Sequence, residues 1–154
     1  MSLRAVKSAL SPAAGKLTIA YLLVATAANL MWEVIQLPLY TIWRTATAQE
    51  LAYAVLHCTL GDLLVLSTTF LLGLLLVAGP QWPLRSIGRV ALAVTLLGAG
   101  YTTYSEWRNV EVLRNWSYAA SMPLLPLFGT GLAPFTQWLV VPPLSLFTAR
   151  RFCG

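Results

Sequence analysis

A carboxylate, Glu33, stands inside an apolar stretch, where it is a candidate to donate or accept a proton. The stretch 17–43 contains twenty-seven residues that are otherwise uncharged and mostly apolar. Such a stretch is long enough to cross a bilayer, and a carboxylate near its centre costs roughly 2.5–3.5 kcal/mol. Asn29, Gln36 and Tyr40 recur with Glu33 at spacings of three or four residues and therefore share one helical face. Because glutamine would serve equally well as a hydrogen-bonding residue between helices, we predict that Glu33 carries a proton.

Two more titratable residues, His57 and Asp62, interrupt the second apolar stretch, 51–79. His57 is the only histidine, a residue type that often serves as a general acid or base, although a lone histidine also occurs simply as a buried hydrogen-bonding residue. Asp62 follows five residues later, so it shares a helical face with Cys58 rather than with His57. We expect Asp62 to approach the first stretch and His57 to approach the third. The catalytic candidates are therefore Glu33 as an acid, with Asp62 or His57 as a base or charge stabiliser.

The depths of these residues agree. At 1.5 Å per residue, Glu33 lies roughly 24 Å from the start of its stretch, beyond the midplane of a core about 30 Å thick. His57 and Asp62 enter from the opposite surface and lie roughly 10–18 Å below it. Tyr101, Tyr104 and Glu106 close the same end of a third apolar stretch. Three apolar stretches thus predict one polar pocket in the outer half of a membrane.

Other polar and aromatic residues at this depth are candidates for binding a ligand. Two alternatives are open: the amides join helices, at roughly 0.6 kcal/mol per hydrogen bond, and the tyrosines belong to an interfacial aromatic belt. Glu106 follows Thr102 by four residues and borders the predicted pocket. The ligand-binding candidates are Asn29, Trp32, Gln36, Tyr101, Tyr104 and Glu106.

Familiar catalytic and metal-binding motifs are absent from the sequence. It contains no HExxH, no GxxxxGK[ST] and no GxSxG, and it has no second histidine for a bis-imidazole site. We predict no metal and no cofactor, while a metal held by His57, Cys58 and a carboxylate stays open as an alternative.

Composition indicates the class of protein that must position these residues. Apolar residues make up 58% of the 154 residues, charged residues 10%, and the mean hydropathy is +0.71, whereas soluble domains carry about 25% charged residues. We predict an all-α, polytopic membrane protein that forms a single bundle over 1–154. Prolines and glycines divide the last uncharged run, so 116–127 is predicted to be a short interfacial helix or re-entrant segment. The four predicted transmembrane helices are 17–43, 51–79, 86–105 and 133–149.

The basic residues predict the orientation, because short loops rich in Lys and Arg stay in the cytoplasm. One side of the predicted bundle carries Arg4, Lys7, Lys16, Arg85, Arg89, Arg150 and Arg151. The other side carries Arg44, Arg108 and Arg114, balanced by Glu50, Glu106 and Glu111. Both termini are therefore predicted to be cytoplasmic, in a bacterial inner (plasma) membrane. Topology explains the net charge of +5, and no nucleic-acid partner is predicted.

Short sequence motifs carry two resemblances. The string Asn29 to Glu33, the following Val34 to Tyr40, Gly61-Asp62 and Ser105 to Trp107 together resemble a small bacterial family of four-helix inner-membrane proteins without an assigned activity. The string Asn29 to Glu33 is also the core of a stretch of about a dozen residues that resembles an acidic motif of the seven-helix membrane-bound terpene cyclases. That second resemblance implies that Glu33 is a proton donor to an isoprenoid.

Three function classes follow. The first is an enzyme or binder that acts on a lipophilic, lipid- or isoprenoid-like small molecule by acid/base chemistry, of isomerase or cyclase type if it is an enzyme. The second is an accessory or assembly subunit of a membrane complex, and the third is a proton- or solute-coupled transporter that works as a homo-oligomer. We favour the first class because the polar residues gather at one depth instead of lining the whole thickness of the membrane. Membrane lipids are the expected surroundings in every case.

Overall fold

A computed structural model describes residues 11–79, 82–83, 85–126 and 128–153, so Arg4 and Lys7 lie outside the described residues. In that part of the chain the secondary structure is helical, apart from two isolated β-bridges. This confirms the all-helical class. The elements are α1 (Pro12–Gln36), a 3-10 turn (Leu37–Leu39), α2 (Ile42–Thr45), α3 (Ala48–Val77), α4 (Ile87–Trp107), a π-helical turn (Arg108–Val112) and α5 (Leu132–Cys153).

Helix α1 begins and ends before the limits predicted for the first stretch, 17–43. Ser11 caps its start, because the Ser11 hydroxyl accepts a hydrogen bond from the Ala14 amide at 3.2 Å, and Pro12 occupies the first turn, where no N–H is needed. The α-helix ends at Gln36 because Pro38 lacks an N–H, and its ring conflicts with continuation of the helix. Glu33 therefore lies in the last turn of α1 rather than at its middle.

The other long helices also extend beyond their predicted limits. Helix α3 starts three residues before 51–79 because Thr47 and Glu50 form a capping box, with the Thr47 amide donating to Glu50 Oε2 at 2.8 Å. Helix α4 continues past 86–105 into the π-helical turn, and α5 passes 133–149 to reach Cys153.

The four long helices form a bundle in which each packs against two others. Helix α1 contacts α3 and α5, and α4 contacts the same two helices. Sequential neighbours run antiparallel: Tyr21, near the start of α1, packs on Phe70, near the end of α3, with ring centroids 4.7 Å apart. Helix α5 returns along α1, so that Gln137 near its start meets Asn29 in the second half of α1.

The buried faces of these helices change character along the bundle. On α1 the buried residues recur every three or four positions, and they are apolar up to Ala25 and polar from Asn29 onward. Helix α4 repeats the change, since its buried residues are apolar from Ile87 to Ala99 and polar at Thr102 and Glu106. The interior therefore has an apolar half and a polar half.

The outer surface of the bundle is strongly apolar. Large side chains such as Leu23, Ile35, Leu64, Leu76 and Leu96 are each more than 60% exposed. Two helical segments, Pro12–Leu39 and Ala48–Val77, are long and apolar enough by length and composition to cross a membrane. These features suggest association with a membrane.

The segment between the π-helical turn and α5 folds over the polar end of the bundle. No helix forms over 116–126, where the expected alternatives were a short helix and a re-entrant segment, and Leu127 lies outside the described residues. Pro123 and Pro126 oppose a helix there. The segment instead pairs with the α1–α3 connection, because the Thr41 amide donates to the Ser117 carbonyl at 3.0 Å and the Ala119 amide to the Leu39 carbonyl at 2.9 Å.

Candidate functional site

The polar half of the bundle contains two neighbouring groups of side chains. The carboxyl cluster consists of Asn29, Glu33, Gln36, Asp62 and Gln137, which come from α1, α3 and α5. The cap cluster consists of Tyr40, Glu106, Trp116 and Tyr118, which lie at the end of α4 and in the two connections above it.

The carboxyl groups of Glu33 and Asp62 form the centre of the carboxyl cluster. They lie within hydrogen-bonding reach of one another. An ionised carboxylate can only accept hydrogen bonds, so a bond between two carboxyl groups requires a proton on one of them. None of the hydrogen bonds that described residues give to this pair comes from a cationic side chain. Among the described residues, a proton is therefore what can join the two carboxyl groups.

Amide side chains hold this pair in place. Gln36 donates from Nε2 to Glu33 Oε1 at 2.7 Å, one turn further along α1. Gln137 donates from Nε2 to Asp62 Oδ2 at 2.7 Å and to Asn29 Oδ1 at 3.0 Å. One amide of α5 thus ties α1 to α3 at the level of the pair, and it disperses the negative charge through hydrogen bonds.

Gln137 was not among the residues predicted from the sequence. It is the only amide side chain of α5, and it precedes Trp138, which with Val141 belongs to the buried face of that helix. This position on the buried face was the available signal. The prolines and glycines around Gln137 indicate where the helix begins, but they do not indicate which of its faces is buried.

Two polar atoms of the cluster are buried without a partner among the described residues. Asn29 Nδ2 is a donor and Gln36 Oε1 is an acceptor, on side chains that are only 2% and 5% exposed. Leaving such atoms without hydrogen bonds costs about 1–3 kcal/mol each. Among the described residues, the network of the carboxyl cluster therefore leaves one donor and one acceptor unsatisfied.

The cluster is more accessible on the side of α3. Glu33 is 8% exposed, whereas Asp62 is half-buried and Cys58, one turn earlier, is exposed. Cys58 is close enough to Glu33 and Asp62 to interact with their charge. Gly61, next to Asp62, is exposed, and a Cβ built there would meet no atom within 4 Å. Asp62 is therefore the most exposed member of the carboxyl cluster.

In the cap cluster, aromatic donors surround Glu106. Tyr118 donates to Glu106 Oε2, Tyr40 donates to the same oxygen at 3.4 Å, and the Trp116 side chain lies against the carboxyl group. The Gly131 amide donates to the Tyr118 hydroxyl at 2.9 Å. Burial, reinforced by the hydrogen bond to Glu106, raises the pKa of Tyr118, which therefore stays a neutral donor at physiological pH. This cluster fastens the connecting segment over the bundle.

The structure brings some predicted site residues together and leaves others apart. Asn29, Glu33, Gln36 and Asp62 meet in the carboxyl cluster, and Glu106 lies in the neighbouring cap cluster. Trp32 is half-buried and packs against the apolar core.

His57, Tyr101 and Tyr104 are not part of either cluster. His57 is exposed on α3 and stacks on Tyr53, with ring centroids 5.7 Å apart, because it lies on a different face of the helix from Asp62. Tyr101 and Tyr104 are 50% and 55% exposed on the outer face of α4. Nor do His57, Cys58 and a carboxylate gather as a metal site: within the described ranges no three His, Cys, Asp or Glu side chains do.

Removing the amide of Gln137 is expected to weaken the bundle. Gln137→Leu deprives Asp62 and Asn29 of their shared donor, and unsatisfied buried groups destabilise by about 1–3 kcal/mol. Thermal unfolding of the detergent-purified protein should show a lower Tm. Thr136→Val is the matched control, because the Thr136 hydroxyl bonds only to carbonyls of its own helix. An equal Tm for both variants would show that Gln137 does not support the cluster.

Comparison with known proteins assigns the chain to no family. No protein-family model matches it, and neither a curated protein nor a solved structure is detectably similar. The two resemblances drawn from the sequence motifs remain predictions, and function must be argued from the carboxyl cluster itself.

Proposed function

We propose that this chain is an integral membrane protein in which α1, α3, α4 and α5 all cross the bilayer. The support is the inverted distribution of polarity: leucines cover the outside of the bundle, while carboxyl and amide groups lie inside it. In water such a surface would be far larger than the apolar patches that monomeric soluble proteins expose. In a bilayer the same surface contacts lipid tails, and the amides serve as hydrogen-bonding residues between helices.

The distribution of basic residues supports cytoplasmic termini in a bacterial inner membrane. Lys16, Arg85, Arg89, Arg150 and Arg151 are all exposed at the end of the bundle where the apolar half of the interior lies. Lys and Arg in short connections favour the cytoplasmic side. The polar half then faces the outer leaflet.

Cys153 gives a direct test of this orientation. In a Cys58→Ala protein, a membrane-impermeant maleimide should label Cys153 in inside-out vesicles and leave it unlabelled in spheroplasts. As the control, a protein with both native cysteines replaced and Glu111→Cys introduced should show the opposite pattern, because Glu111 is exposed at the other end. Labelling of Cys153 in intact spheroplasts would reverse the proposed topology.

We propose further that the carboxyl cluster binds a lipophilic small molecule and acts on it by acid/base chemistry. The observation that carries this proposal is the contact between the carboxyl groups of Glu33 and Asp62, which we infer to share a proton. A carboxylic acid and a carboxylate in contact, in surroundings with little water, supply an acid and a base at the same place. Glu33, the more buried member, is the proposed acid, and Asp62, the more exposed member, is the proposed base or charge stabiliser.

The apolar half of the interior favours this function over transport. Leu17, Tyr21, Leu66, Phe70 and Val94 fill it and are at most 3% exposed. A proton- or solute-coupled transporter needs polar groups or water along the whole path, whereas among the described residues the buried carboxyl and amide groups lie in one half of the interior, and the other half adds only hydroxyl side chains such as Thr69 and Ser145. A site that ends blindly suits binding or conversion of a molecule that enters from the lipid.

Conversion of a membrane component tests the proposed function. The purified protein is placed in nanodiscs made from a lipid extract of the producing cells, and the extract is followed by mass spectrometry against empty nanodiscs. We expect one lipophilic component to be depleted and an isomer or cyclised product to appear. If the composition stays unchanged, and no lipophile is retained by the protein, the proposed function is wrong.

A further inference from the structure

The outer face of α4 carries a groove that belongs to neither cluster. Its volume is about 500 Å³, within the range of roughly 300–1,000 Å³ that is usual for small-molecule sites. The lining residues are Gly100, Thr103, Tyr104 and Trp107 of α4, together with Phe128 of the connecting segment. The four α4 residues are related by spacings of three and four, so they form one stripe along the helix. The groove therefore lies on the outside of the bundle, between this stripe and the connecting segment.

Two local features create the groove. Gly100 has no side chain, and a Cβ built there would meet no atom within 4 Å, so the helix surface is hollow at this position. Phe128 forms the other wall, in a turn where the Gly129 amide donates to the Leu125 carbonyl at 3.0 Å. Gly129 has a φ of 63°, a conformation that residues with a Cβ rarely adopt. This turn therefore fixes where Phe128 lies relative to α4.

The lining of the groove is apolar and aromatic. The Thr103 hydroxyl donates to the Ala99 carbonyl of its own helix at 2.9 Å, so its one donor is already used. Tyr104 and Trp107 are 55% and 47% exposed, with ring centroids 6.1 Å apart. Aromatic side chains of this kind, at the end of a transmembrane helix, are typical of the interface between a membrane and water. In a bilayer, such a lining favours a hydrocarbon chain as the occupant.

A cationic side chain follows the groove along the chain. Arg108 comes directly after Trp107 and four residues after Tyr104, so it continues the stripe at the end of α4. Arg108 is exposed, and no ion pair within the described residues involves it. Gly100 is eight residues earlier, roughly 12 Å further along the helix towards the membrane centre. The groove thus combines an apolar length with a positive charge at its outer end.

We propose that this groove binds a phospholipid of the outer leaflet, with one acyl chain between the α4 stripe and Phe128 and with the phosphate on Arg108. A guanidinium group binds phosphate through paired, charge-assisted hydrogen bonds. A hydrocarbon or an uncharged lipid would fill the groove and leave Arg108 without an anion. The inference rests on the part of the proposed function that places α4 across the bilayer, and it does not depend on the chemistry of the carboxyl cluster.

Photocrosslinking tests the inference residue by residue. The full-length protein is placed in nanodiscs that contain a small amount of a phosphatidylcholine with a diazirine on one acyl chain, and crosslinked residues are identified by mass spectrometry. We expect residues 100–107 and Phe128 to be labelled several-fold more than Leu60 and Leu64, which are 66% and 69% exposed on α3. A diacylglycerol with the same diazirine chain has no phosphate and should show no such preference.

Two substitutions connect the preference to the groove. Gly100→Leu fills the hollow and Arg108→Gln removes the positive charge, so each should reduce the crosslinking of Phe128 to the level seen on α3. Gly88→Leu and Arg44→Gln are the matched controls and should leave it unchanged. Gly88 is an exposed glycine of α4 with open space at its Cβ position, and Arg44 is an exposed cation at the same end of the bundle as Arg108. An unchanged Tm in detergent shows that each variant is folded, and if one misfolds the other still decides the outcome.

The possible failures are distinguishable. Even labelling of the α3 and α4 faces, or an equal preference with the diacylglycerol, would overturn the inference while leaving the bundle in the bilayer. Protection of Phe128 in a protein that forms dimers would show that a second copy covers the groove, which also overturns the inference. Absence of crosslinks from every helix would contradict insertion of the bundle, and with it the membrane part of the proposed function.

Discussion

The Glu33→Gln variant is expected to retain its fold and to lose conversion of the lipophilic substrate by about 100-fold or more, which is the usual contribution of a general acid. Glutamine has nearly the same size and can keep a hydrogen bond with Gln36, but it has no proton to give at neutral pH. The substitution therefore also removes the proton that Glu33 is proposed to share with Asp62. The measurement is the rate of product formation in nanodiscs made from native lipid extract.

Glu111→Gln is the matched control for this result. Glu111 lies in the π-helical turn, is exposed, and belongs to neither cluster. Its replacement should leave the rate unchanged. Full activity of Glu33→Gln would exclude Glu33 as the acid, even if the lipophile still bound.

The second large effect is expected for Gly98→Ala, on the stability of the bundle. A Cβ at Gly98 would overlap the indole ring of Trp138, which is 2% exposed where α4 and α5 pack together. Overpacking of a core typically destabilises by about 1–3 kcal/mol, and here a large and fully packed ring must move. Thermal unfolding in detergent should show a Tm lower by several degrees.

Gly100 provides the control for this substitution on the same helix. It is exposed, and a Cβ there would meet no atom within 4 Å. Gly100→Ala should keep the Tm or raise it slightly, because alanine favours the helix over glycine by about 1 kcal/mol. A similar loss of stability in both variants would show that Gly98 is needed for something other than close packing against Trp138.

Gln137 and Gly98 together show that the contacts of α5 with α4 and with α1 and α3 depend on each other. Trp138 follows Gln137 directly, so one turn of α5 packs on α4 through its indole and bonds to α1 and α3 through its amide. A displacement of this turn by Gly98→Ala would also move the amide that supports Asp62. The rate of substrate conversion should therefore fall in Gly98→Ala as well, because Asp62 loses its correct position although no reacting group is removed.

The order and class of the helices could be predicted because hydrophobic stretches of this length have few alternatives. Their ends were less predictable. The first stretch was predicted to continue to residue 43, but Pro38 ends the α-helix at Gln36 and a 3-10 turn follows. The start of α3 followed from the capping box of Thr47 and Glu50, a local signal outside the apolar pattern.

The site was predicted in part. Glu33, Asn29, Gln36 and Asp62 meet because three- and four-residue spacing fixes the face of a helix, and because antiparallel helices of similar length bring equal depths together. The same reasoning could not find the side chain that joins them, Gln137, since the register of α5 depends on the path of the connecting segment. The hydrogen bond from Tyr118 to Glu106 depends on that same path and was not predicted either.

His57 shows the limit of arguments from depth alone. Its depth matches that of Glu33, but rotation about the helix axis separates it from Asp62 and places it on an exposed face beside Tyr53. Depth follows from counting residues along one helix. Whether a side chain points into the bundle or out of it depends on which neighbours the helix has.

The most direct test of the account is infrared difference spectroscopy of the carboxyl groups in the purified protein. We predict that, at neutral pH, the carbonyl stretch of one protonated carboxylic acid is present in the natural sequence and absent from both Glu33→Gln and Asp62→Asn, because each removal breaks the shared proton. Glu111→Gln should leave the band intact. Absence of the band from the natural protein, or its persistence in both Glu33→Gln and Asp62→Asn, would contradict the central claim that these two residues hold a proton between them.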